Sequence, residues 1–166
     1  MVSESYRNGV AGLIWEKKYF PQEADPIRHV IFHRINPWVG WSVLKGKKGG
    51  KTEEKALRDE LRQEAQIRSG DVLGLERMQG IRIKYEFPMA REKGYTCIGQ
   101  DHQVWSVQVR PDTAIRVDGI EHDNYYWTNA EKAKRMLTFE EHKTALEKTD
   151  EHIRIKLGLI ARPRKL

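Results

Sequence analysis

The fold is indicated most clearly by the sequence WSVLKGKKGGKTEEKALRDELRQEAQI, residues 41–67. It joins an extended segment, a loop of glycine and lysine, and a segment rich in helix-forming residues and carboxylates. Thr52 is a suitable N-cap for the helix predicted over residues 52–67, and acidic residues follow it in the first turn. The side chains that we expect to face the core recur at helical spacing: Ala56, Leu57, Leu61 and Ala65.

Two carboxylates lie at the edge of this apolar stripe. Glu60 and Glu64 are four residues apart and therefore share one side of the helix, where like charges repel. The arginines of the helix lie on another face, where they are placed to pair with Glu54 and Asp59. A divalent cation such as Mg²⁺, which prefers carboxylate oxygens, would relieve the repulsion between Glu60 and Glu64. The alternative interpretation is an ordinary surface helix with salt bridges.

The loop before the helix, KGKKGGK at residues 45–51, is a candidate site for phosphate. Lysine ammonium groups and the backbone N–H groups of a glycine-rich loop both bind phosphate oxygens. The loop does not match the P-loop pattern, so a Walker-type site is excluded. A solvated basic loop is the alternative. The candidate phosphate-binding residues are Lys45, Gly46, Lys47 and Lys48.

The segments on either side of this stretch predict a mixed sheet with helices, an α/β or α+β single domain. A connecting loop over residues 18–26 separates the first two predicted strands. Asn129 is a suitable N-cap for a helix to about Leu137, and a longer helix is predicted over residues 137–158. The predicted strands cover residues 6–17, 27–34, 38–44, 73–87, 102–110 and 124–127.

Composition limits the classes of protein that remain. The chain has 166 residues, which suits one domain, and its single cysteine, Cys97, excludes an internal disulfide and a cysteine-based zinc site. We find no apolar run long enough to span a membrane and no signal-peptide pattern, so we expect a cytoplasmic protein without membrane partners. The net charge of +6 is concentrated in residues 45–51 and the last fourteen residues, and the remainder carries −3. This distribution favours a local anion site over general coating of nucleic acid.

Residues 41–67 resemble the signature of the Nudix hydrolases. That signature is a Gly, five residues, a Glu, seven residues, then Arg-Glu-U-x-Glu-Glu-x-Gly-U, with U aliphatic. The resemblance implies a loop-helix-loop that binds Mg²⁺ or Mn²⁺ for the cleavage of a pyrophosphate, and a Nudix-like sheet between helices. The residues that can be placed on the family's pattern are Trp41, Lys45, Gly46, Glu60, Leu61, Glu64 and Ile67.

The likeness extends over most of residues 6–152. CIGQDHQVWSVQV and EHDNYYW resemble bacterial RNA pyrophosphohydrolases, in which the first Glu of the second segment, here Glu121, contributes to the metal site. WTNAEKAKRMLTFEEHKTALEKTDEHI resembles the C-terminal helices of diadenosine tetraphosphate hydrolases. We therefore expect a Nudix-like domain over residues 1–157 and a basic tail over residues 158–166.

The chain departs from the signature at several positions. With Glu60 and Glu64 in register, the upstream segment is one residue short, so the early signature Glu lands near Lys51 or Thr52. Glu53 and Glu54 are the possible replacements. The signature's Arg, the first Glu of its pair and its Gly fall on Asp59, Gln63 and Gln66.

Two functions follow from this resemblance. The first is a hydrolase that cleaves a phosphoanhydride in a nucleoside polyphosphate, a dinucleoside polyphosphate or an RNA 5′ end, with Glu60, Glu64 and Glu121 as catalytic metal ligands. Glu121 is a further ligand, the base, or a polar turn residue. The second function is a domain without hydrolysis that binds RNA, a nucleotide or a ribonucleoprotein, helped by the basic tail.

Aromatic and histidine side chains supply the remaining candidates. Tyr85 and Tyr126 are candidates for stacking on a base, and the alternative is that they pack in the core. His102 and His122 are interpreted as neighbours in polar loops that contact phosphate or transfer a proton, and the alternative is neither role.

Overall fold

The computed structural model describes residues 5–18 and 25–164, which form one mixed sheet between helices. The helices in these residues are α1 (Glu53–Ala65), α2 (Ala130–Met136) and α3 (Glu140–Lys156). The strands are β1 (Tyr6–Lys17), β2 (Ile27–Arg34), β3 (Gly40–Ser42), β4 (Leu44–Lys47), β5 (Val72–Glu86), β6 (Gly99–Val109) and β7 (His122–Thr128).

Strand β1 lies at the centre of the sheet. It pairs in parallel with β6 from Tyr6 to Trp15 and antiparallel with β2 at one end and β4 at the other. The path through the sheet is β3-β2-β1-β6-β5, with β7 paired to β2 and β4 to β1. This topology brings the start of β7 beside the end of β2, and the end of β4 beside the start of β1.

Side chains alternate between the two faces of the sheet, and a separate hydrophobic core lies on each face. On one face, Val10 and Phe32 pack with Leu57 and Leu61 of α1. On the other face, the adjacent strand residues pack with α2 and α3 in a second cluster that includes Ala11, Ile31, Val104, Leu137 and Leu146. The period-two pattern predicted for β6 is confirmed, since Val104 faces α2 and α3 whereas Trp105, Val107 and Val109 face α1.

Helix α1 forms where the sequence predicts it. The Thr52 side chain accepts a hydrogen bond from the Lys55 backbone N–H, as an N-cap should. The whole predicted stripe is buried. Asn129 caps α2 in the same way, through the Lys132 N–H. The helix positions and the fold class are therefore confirmed.

Two predicted boundaries were wrong. The extended segment over residues 38–44 is two short strands: β3 pairs with β2, and β4 pairs with β1 and continues through Lys47. The strand predicted over residues 102–110 begins sooner, because Gly99 and Gln100 already pair with β1 and β5. Most of the loop predicted over residues 18–26 lies outside the described residues.

Among those described, no helix has the length and apolar character needed to cross a membrane.

Candidate functional site

The site is built where the end of β4 meets α1. Gly46 pairs with Val10 of β1, and its Cα faces the Glu60 side chain. A Cβ at position 46 would overlap the Glu60 carboxyl group. Gly46 therefore allows the carboxylate of α1 to lie directly against the strand.

Glu60 belongs to a cluster of three carboxylates. Burial, together with the charges of Glu64 and Glu121, raises the pKa of Glu60 to about 7. Glu64 comes from the next turn of α1, and Glu121 lies just before β7. The three residues that were predicted to hold a metal are thus close enough for the charges of Glu64 and Glu121 to act on Glu60. These charges act in the same direction as burial, so a cation at this position would favour the ionised form of Glu60.

Two members of the cluster have polar partners that the sequence did not indicate. The Arg34 guanidinium donates to Oε2 of Glu121 at 3.2 Å, and Nδ1 of His122 lies 3.1 Å from Oε2 of Glu64. Asp118 completes a second group with Glu64 and His122, whose ligand atoms all lie within 4.8 Å of one another. Pairing between β2 and β7 brings Arg34 beside His122, so only the strand register could have revealed this neighbourhood.

Lys45 lies on the opposite face of β4 from Gly46, because side chains alternate along a strand. Its Nζ is 4.9 Å from the centre of the Tyr85 ring and 3.4 Å from the Tyr85 hydroxyl. Burial and the nearby Arg34 charge lower the pKa of Lys45 to about 8. The predicted group of phosphate-binding lysines is therefore divided: Lys45 is half-buried beside an aromatic ring, whereas Lys47 is exposed.

The interpretation of His102 and His122 as residues of polar loops was wrong. Both are buried within strands, His102 in β6 and His122 at the start of β7. Burial and the Lys45 charge lower the pKa of His102 to about 3. A third buried histidine, His142 of α3, also faces the Lys45 charge, and burial lowers its pKa to about 2. Both histidines are therefore neutral near pH 7.

The two tyrosines predicted to stack on a base make different contacts. The Tyr85 ring stacks on His102 with a centroid distance of 6.0 Å. The Tyr126 ring lies edge-on to Trp41, and its hydroxyl accepts a hydrogen bond from Lys132 at 2.9 Å. Tyr126 is exposed and Tyr85 half-buried, so neither is a fully buried core residue.

Glu53 and Glu54, the possible replacements for the early Glu of the signature, both bind other side chains of the protein. Glu53 accepts hydrogen bonds from Trp105 Nε1 and from the Arg77 guanidinium, and so connects the start of α1 to β5 and β6. Glu54 pairs with Arg58 within the helix, as the spacing predicted.

No protein-family model matches the sequence, and no curated protein matches it significantly. Solved structures, however, match most of the chain. A Caenorhabditis elegans Ap4A hydrolase in a binary complex has a TM-score of 0.67 at 18% identity, covering 89% of this chain and 97% of its own. The Escherichia coli dihydroneopterin triphosphate pyrophosphohydrolase also has a TM-score of 0.67, at 17% identity, covering 86% and 95%. The chain has the Nudix fold.

A further relative by structure is the Nudix domain of Shewanella oneidensis NrtR, solved in complex with ADP-ribose. It has a TM-score of 0.66 at 12% identity and covers 90% of this chain and 89% of its own. Identities this low establish the shared Nudix fold and nothing about substrate.

The end of α1 can be compared with the Gly position of the Nudix signature. Gln66, which falls on the signature's Gly, has a φ of 55°, in the left-handed region that favours glycine. Its N–H and that of Ile67 close the helix onto Arg62 and Leu61 carbonyls. In the register that aligns Glu60 and Glu64, the chain thus has a backbone conformation favoured by glycine at the position where the signature has Gly.

Proposed function

We propose that this protein is a divalent-metal-dependent hydrolase that cleaves a phosphoanhydride bond in a nucleoside polyphosphate. The observation that carries the proposal is the cluster of Glu60, Glu64 and Glu121, in which burial and the charges of the other two carboxylates raise the pKa of Glu60 to about 7. A half-buried cluster of like charges is unfavourable by itself, and a bound cation relieves it.

The donor set fits a hard cation. Carboxylate oxygens are the ligands of Mg²⁺ and Mn²⁺, and Glu60, Glu64 and Glu121 would hold the ion. When bound, such an ion neutralises phosphate oxygens and activates water for an in-line displacement. Gly46 contributes by leaving room for the Glu60 carboxylate beside the strand.

The remaining residues act on the substrate. Glu121, which is partly exposed and bound by Arg34, serves as a further ligand or accepts the proton of the attacking water. Lys45, Lys47 and Lys48, with the Gly46 backbone, bind the polyphosphate. Tyr85 and Tyr126 stack on the base, since each presents a ring that is not fully buried.

For the substrate class, we propose a dinucleoside polyphosphate or a 5′-triphosphorylated RNA end. The sequence resemblance to diadenosine tetraphosphate hydrolases and RNA pyrophosphohydrolases supports this choice. The similarity in structure to an Ap4A hydrolase adds to it.

Incubation with a substrate panel tests the proposal. The panel contains diadenosine tetraphosphate, nucleoside triphosphates, ADP-ribose and triphosphorylated RNA, each with Mg²⁺, Mn²⁺ or EDTA, and products are separated by chromatography. We expect turnover with metal only, and a loss of about 10²-fold or more in Glu64→Gln. Glu54→Gln, on the same helix but paired with Arg58, is the matched control and should keep full activity.

The same panel distinguishes hydrolysis from the second function, which is binding without hydrolysis. That function predicts no turnover of any compound, together with RNA binding that weakens steeply with salt. It was suggested partly by Asp59 in place of the signature's Arg, and Asp59 has a specific set of partners in this structure.

A further inference from the structure

Asp59 precedes Glu60 in α1 and is buried at the base of the glycine- and lysine-rich loop. Its side chain is only 10% exposed. Lys51 Nζ lies 2.6 Å from Oδ2, and Lys55 Nζ lies 2.8 Å from Oδ1, with the Arg62 guanidinium at 3.4 Å. Both oxygens of Asp59 are therefore engaged by cations, and the residue is part of an ion-pair network rather than of the carboxylate cluster.

Lys51 differs from the other two cations in where it lies in the chain. Lys55 and Arg62 belong to α1 itself, so their bonds to Asp59 stay within one helix. Lys51 belongs to the loop between β4 and α1. Its ion pair therefore joins the loop to the helical turn that carries Glu60.

The other end of the loop contacts the same turn. Gly46, where β4 approaches its end, packs against the Glu60 side chain. Between the two ends, the Lys48 N–H donates to the Asn8 carbonyl and the Lys51 N–H to the Lys48 carbonyl. Residues 46–51 are thus fixed to adjacent positions of α1, Glu60 at one end and Asp59 at the other.

We propose that Lys51 and Asp59 are positioning residues, which hold the phosphate-binding loop in a fixed place relative to the Glu60 carboxylate. In the register of the Nudix signature, Asp59 stands where the signature has Arg, and Lys51 lies near the position of its early Glu. The catalytic consequence of this positioning rests on the proposed function.

A loop of this composition needs such a constraint. Gly49, with a φ of 58°, and Gly50 leave the unconstrained backbone many conformations, so ordering the loop has a large entropic cost. Displacement of a binding group by about 1 Å can lower a rate by about 10²-fold. Half-exposed ion pairs contribute little to global stability, so the effect should appear in loop order and turnover rather than in unfolding.

Lys51→Met and Lys55→Met form a matched pair for the test. Each variant removes one lysine from Asp59, but only Lys51→Met releases the loop from the helix. Hydrogen exchange of the backbone amides of residues 46–52 should become at least about fivefold faster in Lys51→Met and stay within twofold of wild type in Lys55→Met. Lys51→Arg should restore slow exchange, because it keeps the charge and the donor.

Turnover of the best substrate in the panel is the second readout. We expect kcat to fall about tenfold in Lys51→Met, with little change in Lys55→Met or Lys51→Arg. Equal exchange in the two methionine variants would overturn the proposal. So would a rise in KM for Lys51→Met without faster exchange, since that result indicates a direct contact between Lys51 and phosphate.

The two readouts separate this inference from the proposed function. If wild type hydrolyses no compound, the proposed function fails, and the exchange comparison still decides whether Lys51 fixes the loop. If wild type is active and Lys51→Met behaves like Lys55→Met, the positioning role fails and the proposed function stands.

Discussion

Gly46 and Glu60 are in direct contact across the junction between β4 and α1, and no side chain fits between them. Gly46→Ala should therefore displace the Glu60 carboxylate. Because Glu60 is flexible and can move away, the free energy of unfolding should fall by less than about 1 kcal/mol. Activity should fall by about 10²-fold, because the displaced Glu60 carboxylate would no longer lie beside Glu64 and Glu121. Steady-state kinetics and chemical denaturation measure the two effects.

Gly50→Ala is the control for this substitution. Gly50 lies four residues further on, in the loop between β4 and α1, and an added Cβ there meets no atom within 4 Å. Its kinetics and stability should match those of wild type. Full activity in Gly46→Ala would show that Glu60 is not needed where the structure places it.

The stability of the metal-free protein should depend on pH through Glu60. Its pKa of about 7 lies above the ordinary 4.5, so the folded state retains a proton that the unfolded state has lost between these values. Stability therefore falls as the pH rises from about 4.5 to 7. Glu60→Gln lacks this loss and should be more stable than wild type by about 1 kcal/mol at pH 8, with water screening part of the repulsion.

Denaturation in EDTA at pH 5 and pH 8 checks this difference. The stabilisation by Glu60→Gln should be largest at pH 8 and nearly absent at pH 5. Glu54→Gln is the control, because it removes a carboxylate of α1 that pairs with Arg58 and lies outside the cluster. A variant less stable than wild type at pH 8 would contradict the charge repulsion assigned to the cluster.

Gln66→Gly should stabilise the protein. Gln66 is held at a φ of 55°, which costs a residue with a Cβ about 1 kcal/mol more than glycine. Gln63→Gly is the matched control, because Gln63 lies within α1, where glycine costs about 1 kcal/mol. The two substitutions should shift the denaturation midpoint in opposite directions, and a loss of stability in Gln66→Gly would count against the left-handed turn.

Lys45 should make substrate binding sensitive to alkaline pH. With a pKa of about 8, the ammonium group loses its charge between pH 7 and 9, so KM should rise severalfold over that range. In Lys45→Arg the side chain stays charged and KM should remain nearly constant. Kinetics at pH 7, 8 and 9 make the comparison. An identical rise in both proteins would exclude Lys45 as its origin.

Local pattern was enough to predict α1 and its carboxylates. Glu60 and Glu64 lie at the edge of the buried stripe because the helical period requires it, and that prediction holds. Glu121 came from the resemblance alone. Arg34 and Asp118 were missed as parts of the site. His122 was a candidate, but it was placed in a polar loop and its partner Glu64 was not predicted, because this neighbourhood depends on β2 pairing with β7.

The glycine- and lysine-rich loop shows how an error in the predicted end of a strand changes a predicted site. The extended segment was predicted to end at Leu44, which left Lys45, Gly46 and Lys47 together in one loop. In the structure β4 continues through Lys47, and alternation sends Gly46 toward Glu60 and Lys45 toward Tyr85. The pairing partner that extends this strand, residues 9–12 of β1, is distant in sequence and gives no local signal.

A titration of the protein with Mn²⁺, followed by electron paramagnetic resonance, tests most directly whether the three carboxylates bind a metal. We expect one site in wild type, weakened by about tenfold or more in Glu60→Gln, Glu64→Gln and Glu121→Gln, and unchanged in Glu54→Gln. Equal Mn²⁺ affinity in wild type and the three cluster variants would contradict the claim that these carboxylates bind the metal.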